Sequence, residues 1–160
     1  MSEPLNYQYL KSPVGELRLV SDGHALLRIE FENHRGTDGQ QRDDAVLAEA
    51  ASQLKQYFDG KRRSFSVPLA ATGTDFQRQV WAALEQIPFG ELRSYQDIAT
   101  AIGNLKAVRA VGAANGRNPI PIIVPCHRVI GSNGKLTGFA GGLPAKQKLL
   151  ELEASQLTLC

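Results

Sequence analysis

The sequence predicts an α+β protein, with a small antiparallel sheet and one packed helix first and a mostly helical unit containing a helix-turn-helix second. Three observations lead there. Hydrophobic alternation of period two runs through residues 7–32, helical periodicity takes over at residue 44, and from residue 74 onward one capping signal after another opens a short helix.

The alternation is clearest where Leu27, Ile29 and Phe31 intersperse with Arg28, Glu30 and Glu32, the pattern of a half-buried strand. Turn formers at Ser12-Pro13-Val14-Gly15 and Asp22-Gly23 divide the region into three strands of a meander. Residues 34–42 read as an exposed loop. Val46, Leu47, Ala50, Leu54, Tyr57 and Phe58 then recur at helical spacing until Asp59-Gly60 supplies a stop. Ser64 to Leu69 reads as another short strand and residues 70–73 as a linker, which divides the chain into units 1–72 and 73–160.

The second unit opens with a capping box, Thr74-Asp75-Phe76-Gln77, and Phe76, Val80, Trp81 and Leu84 form one apolar stripe behind it. Pro88-Phe89-Gly90 ends that helix. Ser94, with Asp97 three residues on, caps a second helix running to Gly103, and a third begins at about Ala107 and stops near Gly116. Two short helices across a four-residue turn resemble a helix-turn-helix, although ordinary core packing produces the same pairing. The third helix offers Ala107, Ala110, Ala113 and Ala114 with Arg109 as its one long cation, so its backbone could approach a duplex closely and insert one side chain. A last helix spans Pro144 to about Ala154, with Leu149, Leu150 and Leu152 to bury.

A 42% hydrophobic composition over 160 residues suffices for one compact domain, or for two small ones sharing an interface. No apolar run approaches the ~20 residues of a membrane span, and Met1-Ser2-Glu3-Pro4 has no signal-peptide character, so the expected location is the cytoplasm, away from membranes. Two cysteines, Cys126 and Cys160, are too few for a disulfide framework; Cys160 is read as an incidental terminal thiol. There is no zinc-ligand spacing, and no metal is assigned. The net charge of +2 hides an asymmetry: residues 92–148 carry eight basic side chains against Asp97 alone. Such a segment attracts a polyanion, or forms a solvated basic face.

Cys126 follows Asn118-Pro119-Ile120-Pro121-Ile122-Ile123-Val124-Pro125, an apolar stretch stiffened by three prolines and expected to be largely extended. A lone cysteine after an apolar run is often a small buried hydrophobe. Here His127 and Arg128 follow directly, and a thiol between an imidazole and a guanidinium can be held partly as thiolate, the nucleophilic form. A carboxylate would complete a relay, with Glu151 and Glu153 the nearest downstream candidates. Gly131, Gly134, Gly138, Gly141 and Gly142 then form a flexible loop in which Phe139 offers an aromatic wall to a planar base.

Pro-Cys-His-Arg-Val at 125–129, with Asn118-Pro119 upstream and Gly141-Gly142-Leu143 downstream, resembles the O6-alkylguanine-DNA alkyltransferase family, strongly over residues 74–154. The resemblance implies a ribonuclease H-like N-terminal domain and DNA repair by direct transfer of an alkyl group from O6 of guanine in duplex DNA to Cys126. It implies that His127 is the base acting through water, Glu153 the carboxylate orienting it, and Asn118 the hinge asparagine. Tyr95 matches the tyrosine that helps protonate the departing guanine, and Arg109 the finger that fills the gap left by the flipped base. Ser94, Ala107, Ala110 and Ala113 fall on the minor-groove face, and Val129, Phe139, Ala140 and Lys146 around the base pocket. Carbonyls at Cys126 and Val129 would accept from the guanine amino group. Phe139 and Ala140 stand where tyrosine and serine occur in relatives, which leaves alkyl-group preference and O4-alkylthymine open. The implied chemistry needs no cofactor, is consumed in one turnover, and expects a monomer, with cooperative assembly on DNA left open. Two other readings remain: a lesion-binding module of the kind that lacks the acceptor cysteine, and a multiple-turnover cysteine hydrolase.

Overall fold

A computed structural model describes residues 4–157; Cys160 lies outside the described residues. The architecture is α+β. Strands β1 (Asn6–Ser12), β2 (Gly15–Ser21) and β3 (Leu26–Glu30) form the expected antiparallel meander, closed at its first turn by Gly15 at φ 99°. A bulge shifts the register at Val20/Ser21, so Leu26 is fully buried while Leu27 is only half-buried, against the simple alternation.

Residues 34–42 are not merely a loop. Gln40–Gln41 forms a two-residue strand, β4, parallel to β1, and gives the sheet the order β3-β2-β1-β4. Charge holds this excursion down. Arg18, fully buried within β2, reaches Glu30 at 2.7 Å and the carbonyl of Asp38, while Arg28 reaches Asp38 at 2.6 Å. A buried guanidinium requires such partners.

Helix α1 (Ala45–Phe58) packs across the sheet through Leu47, Ala50, Leu54 and Tyr57. Its cap, Asp44, accepts from the amide of Leu47 at 2.7 Å, from Asn6 at 3.0 Å and from the hydroxyl of Ser21 at 2.9 Å, joining helix start, β1 and β2 at one carboxylate. Residues 64–69 do not form the expected strand; only Leu69 bridges Leu26. Pro68 has no N–H to give to a ladder, and the amide of Ser66 is taken by the side chain of Gln53 at 2.9 Å.

The second half packs α2 (Asp75–Glu85), α3 (Tyr95–Ala101) and α4 (Val108–Gly116) together, and α5 (Leu143–Leu157), longer than expected, against the segment after Cys126. Both capping boxes form, at Thr74/Gln77 and Ser94/Asp97. Two short parallel strands, β5 (Arg93–Ser94) and β6 (Val129–Ile130), tie the start of α3 to the chain just after the cysteine. The indole of Trp81 donates to the carbonyl of Ala114 at 2.9 Å and locks α2 to α4. One contiguous core runs from Leu10 to Leu149.

Asp44 gives this fold its first test. Asp44→Ala removes a helix cap and leaves the fully buried Ser21 hydroxyl without its acceptor, so unfolding free energy should fall by about 2–3 kcal/mol. Urea denaturation measures it, and a loss below about 0.5 kcal/mol would contradict the cap's role.

Candidate active site

The stretch before Cys126 is a folded loop, not an extended lead-in. Asn118 closes it from inside: its side-chain amide donates to the carbonyl of Val124 at 2.8 Å and its Oδ1 accepts from the amide of Ile120 at 3.0 Å. The amide of Val124 also returns to the carbonyl of Ile120 at 3.0 Å. This turn forces Ile122 to φ 76°, a left-handed conformation costly for a β-branched residue, on the order of 1–3 kcal/mol. Pro125 (φ −82°, ψ 64°) then centres an inverse γ-turn, with the amide of Cys126 on the carbonyl of Val124 at 2.8 Å. From there Cys126–Arg128 makes one 3-10 turn, which replaces the extended geometry in which neighbouring side chains diverge.

Cys126 is 4% exposed. Burial pushes its thiol up to about 11, against the opposing influence of the Asn118 amide and the Lys146 charge. At neutral pH the sulfur therefore keeps its proton, and the expectation of a thiolate poised by its flanking cation is corrected. Arg128 is turned away: its Nε donates to Glu153 Oε1 at 2.8 Å, one terminal nitrogen to Glu153 Oε2 at 3.1 Å and the other to the carbonyl of Ile87 at 2.7 Å.

His127 follows Cys126 directly. Its fully buried ring meets Glu153 Oε2 through Nε2 at 2.6 Å, while Nδ1 has no hydrogen-bond partner among the described residues. Burial would raise the Glu153 carboxyl, but the hydrogen bonds and charges of His127 and Arg128 outweigh it and hold the group well below the usual carboxylate range. Being ionised, Glu153 only accepts. The neutral imidazole thus carries its proton on Nε2 and presents a lone pair at Nδ1. Burial lowers the basicity of His127, with Glu153 acting in the opposite direction. Of the two acidic candidates, Glu151 is exposed and bonds Gln147.

Other expected site residues are placed more variously. Tyr95, the first residue of α3, pairs its hydroxyl with that of Thr137 and lies beside Gly112 of α4. Arg109, Ala110 and Ala113 are exposed along α4 and Ala107 is half-buried at its start, but Ala114 faces the core. Ser94 spends its hydroxyl on the cap of α3. Lys146, expected around the base pocket, is fully buried, and its ammonium donates to the carbonyls of Val129 at 2.6 Å and Thr137 at 3.3 Å. The carbonyls of Cys126 and Val129 both already accept bonds within the protein, from the Val129 amide and from Lys146. Two of the eight basic side chains, Arg128 and Lys146, are buried and add nothing to a basic surface.

The glycine loop is pinned by the first half of the chain. Phe139 packs edge-on against Phe31 with centroids 5.3 Å apart, and Asn33 donates to the carbonyl of Ala140 at 3.0 Å. Gly141 is required by contact, since a Cβ there would lie 2.8 Å from the Phe31 ring. The edge of β3 also reaches the loop before Cys126, with the amide of Ile29 on the carbonyl of Pro119 at 2.9 Å. Phe31, Asn33, Thr137 and Tyr57, whose hydroxyl donates to Glu153 Oε2 at 2.6 Å, were not singled out by sequence reasoning as site residues. Tyr57 carried only the signal of an apolar helical stripe.

Comparison with known proteins accords with this geometry. The sequence profile for "6-O-methylguanine DNA methyltransferase, ribonuclease-like domain" matches residues 5–71, and that for "6-O-methylguanine DNA methyltransferase, DNA binding domain" matches residues 75–155. Methylated-DNA--protein-cysteine methyltransferase of Methanosarcina acetivorans is 50% identical over 153 residues, which is 93% of this chain and 98% of the relative. The constitutive protein of the same name from Bacillus subtilis is 47% identical over 155 residues, 92% of this chain and 94% of its own. The crystal structure of Mycobacterium tuberculosis OGT in complex with DNA superimposes with a TM-score of 0.89 at 48% identity, covering 94% of both chains. The chain belongs to the 6-O-methylguanine DNA methyltransferase family.

Proposed function

We propose that this protein repairs DNA by moving a methyl or other alkyl group from O6 of guanine in duplex DNA onto Cys126, once per molecule. The observation that carries the reading is the buried His127–Glu153 pair directly after the buried Cys126 in the chain, its imidazole bonded to the carboxylate through Nε2 and its Nδ1 without a partner among the described residues. His127 takes the thiol proton at Nδ1, through water, and Glu153 stabilises the imidazolium that results. The thiolate attacks the alkyl carbon in line, a C–S bond forms, and the C–O bond breaks with its electron pair moving to guanine. Tyr95 supplies a proton to the departing base. The product is a thioether, which has no leaving group that water displaces at neutral pH, so the protein is spent.

Inside a duplex the O6-alkyl carbon is out of reach, so the base is turned out toward Cys126. Several features support duplex DNA as the partner. Helix α4 has an outward stripe of small residues around Arg109, Lys106 and Arg117 are exposed near its two ends, and a relative of 48% identity was crystallised with DNA. In this reading Arg109 fills the space of the flipped base, Asn118 links α4 to the cysteine loop, and the chain acts as a monomer.

Cys126→Ala should bind duplex DNA containing labelled O6-methylguanine and acquire no label; label on that variant would remove the acceptor assignment. Arg109→Ala should slow reaction with duplex DNA by about tenfold or more, because unstacking a base costs a few kcal/mol, and should leave reaction with free benzylguanine unchanged. Equal losses on both substrates would refute the finger role. Duplex affinity should fall as salt rises, since cationic side chains on phosphates release counterions. A flat salt profile would count against this surface.

A further inference from the structure

We propose that Tyr57, supplied by α1 of the sheet-bearing half, is a positioning residue for alkyl transfer: its hydroxyl holds Glu153 Oε2 as the ionised acceptor of the His127 Nε2 proton. The inference rests on the reading of Cys126, His127 and Glu153 as the transfer machinery. Tyr57 and Glu153 are separated by 96 residues in sequence, and both are buried. The tyrosine ring lies among Phe58, Phe65 and Phe89, with centroids 5.3, 5.6 and 6.2 Å away. In such an aromatic wall phenylalanine would pack equally well, and a buried hydroxyl costs free energy unless it is bonded. Among the described residues it has one partner, the carboxylate oxygen that also faces the histidine.

The charged groups around Glu153 define what the hydroxyl does. From the 3-10 turn come His127 and Arg128; from the loop after α2 comes the amide of Gly90, at 3.2 Å from Oε1; from α1 comes Tyr57. On α5 itself Lys146 faces the carbonyls of Val129 and Thr137, with Cys126 near enough for its charge to be felt. Burial, together with the Glu153 charge, raises the Tyr57 phenol far above its ordinary value, so Tyr57 acts only as a donor. Losing it strengthens the proton affinity of Oε2 and loosens the carboxylate. With one donor fewer, the carboxylate attracts a protonated His127 more strongly, so Nδ1 gains a proton at higher pH and loses the lone pair that receives the thiol proton.

Tyr57→Phe, which keeps the ring, tests this through single-turnover rates on free benzylguanine and on alkylated duplex DNA, measured from about pH 5 to about pH 9. The rate on both substrates should fall by about tenfold at neutral pH, the smaller end of what a hydrogen bond to a charged group contributes. Duplex affinity should be unchanged, and the acid limb of the rate profile should move to higher pH. Wild-type rates and profile in the variant would overturn the proposal. So would a slower rate with an unmoved acid limb and a lowered unfolding temperature, the signature of a purely structural tyrosine. A wild-type protein that transfers no alkyl group would instead defeat the underlying reading, not the role of Tyr57.

Discussion

The carboxylate of Glu153 is the point on which the site's geometry depends. Donors converge on it from three separate parts of the chain: Tyr57 on α1, the amide of Gly90 after α2, and His127 and Arg128 in the turn that begins with Cys126. An anion at this depth is tolerable only because each lone pair finds a donor. The same requirement fixes α5 against the cysteine turn, docks α1 against both, and sets the tautomer of the imidazole.

A second constraint lies at the seam between the two halves. The edge of β3 bonds the carbonyl of Pro119, Asn33 holds Ala140, and Phe31 fills the space that Gly141 leaves by lacking a side chain. The sheet-bearing half therefore shapes both segments that flank Cys126, the loop before it and the glycine loop after it. Burial raises the thiol it encloses, with the Asn118 amide and the Lys146 charge opposing.

Local signals were legible in the sequence. Strand alternation, the capping boxes at Thr74 and Ser94, and the stop at Asp59-Gly60 act over a few residues, and each element they announce is present. Cys126, His127 and Glu153 were legible through the motif around them and the family it resembles. What stayed hidden acts across long separations. Nothing local says that Gln40–Gln41 will pair with β1, that Tyr57 will meet a carboxylate 96 residues away, or that Lys146 will be buried under two carbonyls. Three prolines announced stiffness before Cys126, but the direction of the chain is set by the Asn118 side chain, which bends it through a positive φ at Ile122, a residue type that avoids that region. Arg128 lies two residues after the cysteine and points elsewhere in space, toward Glu153 and the carbonyl of Ile87, which suits a structural guanidinium.

The account stands or falls on single-use transfer to one sulfur. Wild-type protein incubated with excess duplex DNA containing O6-methylguanine, then analysed by intact mass and peptide mapping, should gain one methyl group per chain, on Cys126, with repair stopping at one equivalent. An unchanged protein mass, or repair continuing past one equivalent of DNA, would contradict it.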